Sequence, residues 1–321
     1  MPFQFDPEYA KAFEPLLPLL SKRSNLLLYD ITSSRNAREQ GIAAFYAKLP
    51  ESPDVQQTLY HVDAADGHQI PVLKFTKTDT PKPPGPAIIH YHGGGMILGS
   101  VELSLRPLAR LVSETAIPIF SVNYRLAPEY TDTTPAEDCY AALLWLHQVA
   151  SLQGFDPARI AVFGESAGGG LAAGVALMAR DRNLQPPLVK QILVYPMLDD
   201  RSTTVNEAVE PLAFWKTVDN ITAWTALLGE KAGNPNASVS PYAAPARANT
   251  LAGLPPAYID VGELDIFRDE SITYATRLLA ENISAELHVY PGLPHAFEMV
   301  APFISATAKA QGNRIRAMLS F

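Results

Sequence analysis

One cysteine, Cys139, occurs in 321 residues, so no intramolecular disulfide can form. It lies in Ala136-Glu137-Asp138-Cys139-Tyr140-Ala141-Ala142-Leu143, a helical pattern in which a lone thiol reads as a small buried hydrophobe. Cations are in deficit, with 25 Lys and Arg against 33 Asp and Glu and a formal net charge of −8. That balance argues against a nucleic-acid or anionic-membrane surface, either of which needs clustered Lys and Arg. No apolar run approaches the length of a membrane span. The opening Met1-Pro2-Phe3-Gln4-Phe5-Asp6 lacks the basic start and apolar stretch of a secretory signal, so a cytoplasmic location is expected. Internal repeats and low-complexity segments are also lacking.

What remains is a chain rich enough in apolar residues (47%) and poor enough in charge (18%) to build a large core. Short β-branched runs alternate with helical stretches, as in a mostly parallel sheet with helices on both faces, an α/β class. Strands are expected at 87–91, 118–124, 160–163, 191–195, 257–261 and 286–290, with helices near 135–150, 167–181 and 269–281 and a last helix from about Pro302. Residues 59–75 read as an antiparallel hairpin around Asp66-Gly67, and 81–86 as a proline-rich connector. Residues 1–50 and 202–242 break the alternation and fit either two parts of a helical cap over the strand ends or ordinary packing helices, which periodicity alone does not separate; the cap is the expectation. The catalytic domain would then comprise 51–201 and 243–321.

Ile160-Ala161-Val162-Phe163-Gly164-Glu165-Ser166-Ala167-Gly168-Gly169-Gly170 runs from buried strand through Gly-x-Ser-x-Gly into a helix. A serine on so sharp a turn needs small neighbours two residues away, and the following helix aims free N–H groups at a reacting oxygen. A phosphate cradle would instead require Gly-Lys-Ser/Thr, which is missing. Upstream, His92-Gly93-Gly94-Gly95 follows a buried strand. Glycines let backbone N–H groups converge on one point, and those of Gly93, Gly94 and Gly95, with that of Ala167, are the candidate oxyanion hole. His92 reads as an anchor of this loop and His90 as a core residue.

These motifs together resemble the hormone-sensitive lipase family (bacterial family IV type) of carboxylesterases in the α/β-hydrolase superfamily. Asn123-Tyr124-Arg125-Leu126-Ala127-Pro128-Glu129 and Tyr195-Pro196-Met197-Leu198-Asp199-Asp200-Arg201 also resemble that family, and the similarity runs from about residue 85 to 300. The chain departs from it in having Glu165 where Asp is usual before the nucleophile, and in lacking the proline-rich continuation at 130–133.

In this fold the acid and the base follow the nucleophile in that order. His288 and His295 are the histidines downstream of Ser166. His288 falls within an expected strand, whereas His295 falls on a loop just past it, where a base can reach the serine. Asp265 follows the preceding strand and is the expected acid. The resemblance agrees, since it places the family's acid at the first position of the Asp265-to-Glu270 segment. Asp199 is the second choice, and Glu263 and Asp269 read as structural. Phe214, Trp215 and Trp224 crowd the 202–242 segment and are candidate substrate contacts, the alternative being that both Trp residues are lid core.

The resemblance implies hydrolysis of small esters with short or medium acyl chains. An amidase or deacetylase could use the same groups. A non-catalytic ligand receptor on this scaffold would lack the base, which is present here. No cofactor is expected, nor a metal, since no His/Asp/Glu cluster has ligand spacing. The partner is a small-molecule ester, and the sequence leaves the oligomeric state, a homodimer included, unspecified.

Overall fold

The structure is a computed structural model that describes residues 2–20, 30–78 and 84–321. Eight strands form one sheet: β1 Val55–Asp63, β2 Gln69–Lys77, β3 Gly85–Tyr91, β4 Ile119–Val122, β5 Phe155–Glu165, β6 Lys190–Val194, β7 Ala257–Gly262 and β8 Ala285–Tyr290. Ten α-helices accompany them among the described residues: α1 Pro7–Phe13, α2 Leu17–Leu20, α3 Ile31–Tyr46, α4 Leu105–Thr115, α5 Thr134–Gln153, α6 Ala167–Asp181, α7 Thr217–Leu228, α8 Arg268–Ala280, α9 Phe297–Val300 and α10 Ser305–Met318.

The strand order is β1-β2-β4-β3-β5-β6-β7-β8. The β1–β2 and β2–β4 pairs are antiparallel and all later pairs are parallel. Parallel strands covered on both faces should be apolar throughout rather than alternating, and β4 and β7 are buried at every position. One face packs Ala87, Ile89, Ile160 and Val162 on α5, α6 and α8, and the other packs Ile88, Ala161 and Phe163 on α4 and α10. The expected α/β-hydrolase architecture is therefore present.

The chain leaves β3 toward β4 on one side and returns to place β5 on the other. The carboxyl ends of β3 and β5 thus lie side by side, with Tyr91 paired to Gly164. Ligands bind at such switch points in open α/β sheets, because the two departing loops diverge there.

Several local expectations shift. The hairpin is longer at both ends than 59–75, and β5 starts at Phe155 rather than Ile160. No helix is expected between β3 and β4, yet α4 fills that connection with Pro107 in its first turn, where a missing N–H costs nothing. The C-terminal helix expected from about Pro302 starts at Ser305 as α10, and the short α9 precedes it. Of the proline-rich connector, 81–83 lie outside the described residues.

Candidate active site

Ser166 occupies the turn between β5 and α6 with φ +56° and ψ −120°, a conformation that costs a residue with a Cβ of order 1–3 kcal/mol. The surroundings enforce it. A Cβ on Gly164 would come 2.2 Å from the Gly168 carbonyl oxygen, and one on Gly168 would come 1.9 Å from that of Tyr91. Only glycines let strand, helix and the neighbouring β3 end approach this closely. The Ser166 N–H donates to the Val194 carbonyl (2.9 Å), and its own carbonyl accepts from Met197 (2.9 Å) and Gly170 (3.0 Å).

Ser166 Oγ lies 3.0 Å from His295 Nε2, and His295 Nδ1 lies 2.6 Å from Asp265 Oδ2. The second oxygen of Asp265 accepts from the Phe267 N–H at 2.9 Å. The loops after β7 and β8 that carry acid and imidazole are sewn together: Glu263 N–H donates to the Tyr290 carbonyl (2.8 Å), and Leu264 N–H to that of Leu293 (2.9 Å). Glu263 also accepts from the Gly292 N–H (2.9 Å). Tyr195 and Phe267 meet the imidazole ring edgewise, with centroids 4.6 and 5.2 Å away, which holds its plane. All three polar residues are buried. Such a line lets the imidazole take the hydroxyl proton while the carboxylate stabilises the resulting cation.

Asp199 is elsewhere, paired with Arg201 at 2.7 Å, and His288 lies on β8 against Glu286 at 2.5 Å. Asp269 pairs with Arg268 at 2.7 Å.

The loop after β3 faces this row. Gly94 and Gly95 have φ of +122° and +61°, and a Cβ on Gly94 would lie 2.0 Å from the Leu98 carbonyl oxygen. Among the described residues, no acceptor takes the N–H of Gly93, Gly94, Gly95 or Ala167. Donors without an acceptor beside the Ser166 hydroxyl suit an oxygen that carries negative charge. His92 anchors the loop: Nδ1 is 2.8 Å from the Gly93 carbonyl, and the ring stacks on Tyr124, whose hydroxyl donates to the His92 carbonyl at 2.7 Å. Burial pushes the His92 pKa down to about 4, against the pull of the Gly93 carbonyl. A neutral His92 suits a structural anchor.

His90 is buried as expected, but both its nitrogens are engaged. Nδ1 meets Ser121 Oγ and Nε2 meets Glu165 Oε2, each at 2.8 Å. This pair ties β3, which leads to the glycine loop, to the residue before Ser166. Sequence spacing carries no signal for it, because His90 and Glu165 meet only across the β3–β5 pairing.

A cavity of about 690 Å³ opens above Ser166, walled by α3 residues, by Phe214 and Trp215, and by Leu108 and Met299. Trp215 abuts the glycine loop: a Cβ on Gly95 would be 3.0 Å from its ring. Trp224, the third aromatic of this segment, sits apart from the other two. It does not line the cavity but is buried in the core on α7, where helix periodicity turns it inward beside Ala223 and Leu227. Among the described residues, no group of three or more His, Cys, Asp or Glu side chains could hold a metal, and no helix is long and apolar enough to cross a membrane.

The family model for the alpha/beta hydrolase fold matches residues 88–299, which span the glycine loop, the serine turn and the His295 loop. This chain belongs to the hormone-sensitive lipase family of α/β-hydrolases. Carboxylesterase NlhH of Mycobacterium tuberculosis is 37% identical over 244 residues, 73% of each chain. Esterase LipI of the same organism is 33% identical over 303 residues, 91% of this chain and 92% of the relative. Among solved structures, a bacterial heroin esterase matches with a TM-score of 0.88 at 38% identity, covering 98% of this chain and 97% of that one. The family-model match runs only over 88–299, and α3, which walls the cavity at Ile31–Tyr46, lies before it.

Proposed function

We propose that this protein is a serine carboxylesterase that hydrolyses small esters through an acyl-enzyme. The observation that carries the reading is the Ser166–His295–Asp265 row, with gaps of 3.0 and 2.6 Å, set against four unpaired backbone N–H groups. Ser166 Oγ attacks the ester carbonyl as its proton passes to His295 Nε2. Gly93, Gly94, Gly95 and Ala167 receive the carbonyl oxygen as it becomes negative. His295 then protonates the departing alcohol, and water repeats the sequence to free the acid. Asp265 holds the imidazole tautomer and stays ionised throughout.

Residues 1–50 and 202–242 act in this reading as one cap, since both supply walls of the cavity. The largely apolar enclosure favours short or medium acyl chains, with Phe214 and Trp215 as contacts. A lone buried Cys139 supports a reducing, cytoplasmic setting.

The test is a panel of aryl esters and matching anilides over a range of acyl lengths, with an organophosphate label. Turnover should fall about 10⁴-fold or more in Ser166→Ala, since only binding and the backbone donors remain. The label should map to Ser166. Label on a different serine, or full turnover in Ser166→Ala, rejects the mechanism. Anilides hydrolysed faster than esters would make the enzyme an amidase.

A further inference from the structure

Gly93, Gly94 and Gly95, which face Ser166, have no side chains to hold them, while Met96, Ile97 and Leu98 behind them are buried in the core. At the start of this loop, Tyr124 and the His92 stack secure the first residue. Within it, Gly94's carbonyl accepts from Ile97 (3.1 Å) and Leu98 (3.0 Å). Its far end is held by a helix from a distant part of the chain. Arg35 Nε donates to the Ile97 carbonyl at 2.8 Å, and Glu39 Oε1 accepts the Gly99 N–H at 2.9 Å. Arg35 and Glu39 are four residues apart on α3 and so share one face.

The grip reaches the donors directly. Gly99 is pressed so closely on the loop's start that a Cβ there would be 2.5 Å from the Gly93 carbonyl oxygen and 2.8 Å from His92 Nδ1. Arg35 is itself fixed, with NH1 and NH2 at 2.9 and 2.8 Å from the two oxygens of Glu129 and NH2 at 3.1 Å from the Ala127 carbonyl. A forked guanidinium is suited to such multiple contact. The neighbouring face of α3, through Arg38, Gly41 and Phe45, lines the cavity.

We propose that Arg35 and Glu39 are positioning residues that set the oxyanion loop, so that the donors of Gly93, Gly94 and Gly95 converge only when α3 is seated over the cavity. This rests on the esterase reading above. Neither residue touches the reacting atoms; they act through Ile97 and Gly99. Because the same helix walls the cavity and steadies the donors, a substrate that packs against α3 favours the seated loop.

The experiment uses the full-length enzyme with an aryl ester and two inhibitors. One is a trifluoromethyl ketone, which becomes a tetrahedral oxyanion on Ser166, and the other is the matching methyl ketone. Loss of donor alignment should lower kcat about 10- to 100-fold in Glu39→Ala and Arg35→Ala, with KM within about twofold. The affinity ratio of the two ketones should fall in parallel. Glu39→Gln keeps an acceptor oxygen for Gly99 and should recover most of the loss, which also covers the case in which Arg35→Ala fails to fold. An unchanged ketone ratio in Glu39→Ala, whatever happens to its melting temperature, overturns the proposal. If the wild-type enzyme turns over no ester and is not inhibited by the trifluoromethyl ketone, the hydrolase reading itself is wrong.

Discussion

Asp265 divides its two carboxylate oxygens between the His295 imidazole, at 2.6 Å, and the Phe267 N–H, at 2.9 Å. The second contact fixes the carboxylate so that the first dictates which imidazole nitrogen keeps its proton. Asp265→Asn should keep the fold, because an amide fills the same space, but lower kcat by roughly 10⁴ through the wrong tautomer. Asp199→Asn should be close to neutral, since Asp199 pairs with a partly exposed Arg201. Steady-state kinetics beside thermal melts decide this; full activity in Asp265→Asn with loss in Asp199→Asn would transfer the acid's role.

Trp215 and Trp224 are nine positions apart but should respond differently. Trp215 borders the cavity and the Gly95 donor. Its replacement by Ala should change discrimination between chain lengths by about 1–3 kcal/mol, and short esters that do not reach the ring should be spared. Trp224 is 1% exposed in the core, so Trp224→Ala should cost about 3–5 kcal/mol of stability and reduce activity on all lengths alike. A chain-length series with denaturant melts checks both. Uniform loss and equal destabilisation in the two variants would remove Trp215 from the substrate contacts.

His92 should make the protein sensitive to acid. Buried, it titrates near 4 rather than at its ordinary 6.5. Between those values the unfolded chain binds a proton that the folded chain refuses, so its stabilising effect is complete above pH 6.5 and lost as pH falls through 4. The difference is about 3 kcal/mol. Urea melts at pH 7 and 4.5 should show a smaller loss in His92→Gln than in the wild type. Equal losses in the two proteins would show that His92 is not the group responsible.

Glu270 should act with the opposite sign. Burial raises its carboxyl to about 8, although the Leu198 N–H and Ser202 hydroxyl, both at 2.6 Å, favour the ion. The unfolded chain releases this proton near the ordinary 4.5, so the contribution is full below that pH and is lost as pH rises through 8. Gln can keep both contacts without a charge. Glu270→Gln should therefore be more stable than the wild type at pH 9, by on the order of a few kcal/mol, with little difference at pH 5. A variant no more stable than the wild type at pH 9 would contradict this.

The sequence by itself determined those features whose physics is local. The β5–turn–α6 order is legible because strand pattern, small neighbours and helix start are contiguous from Ile160 to Gly170, and backbone crowding admits only glycine at 164 and 168. The position of His295 past a strand end, and the α/β alternation itself, follow from the same short-range patterns.

Tertiary structure decided what depends on contacts between distant segments. Asp199 and Asp265 both follow sheet strands, and only the stitching of the β7 and β8 loops brings Asp265 to the imidazole. Trp215 and Trp224 share a segment and are both buried in the core, but the path of the chain into α7 brings only Trp215 to the cavity wall. Arg35 and Glu39 reach the glycine loop from more than fifty residues away, and His90 meets Glu165 across two strands. Contacts of this kind leave no periodicity along the chain, because they are set by which surfaces the packed sheet brings together.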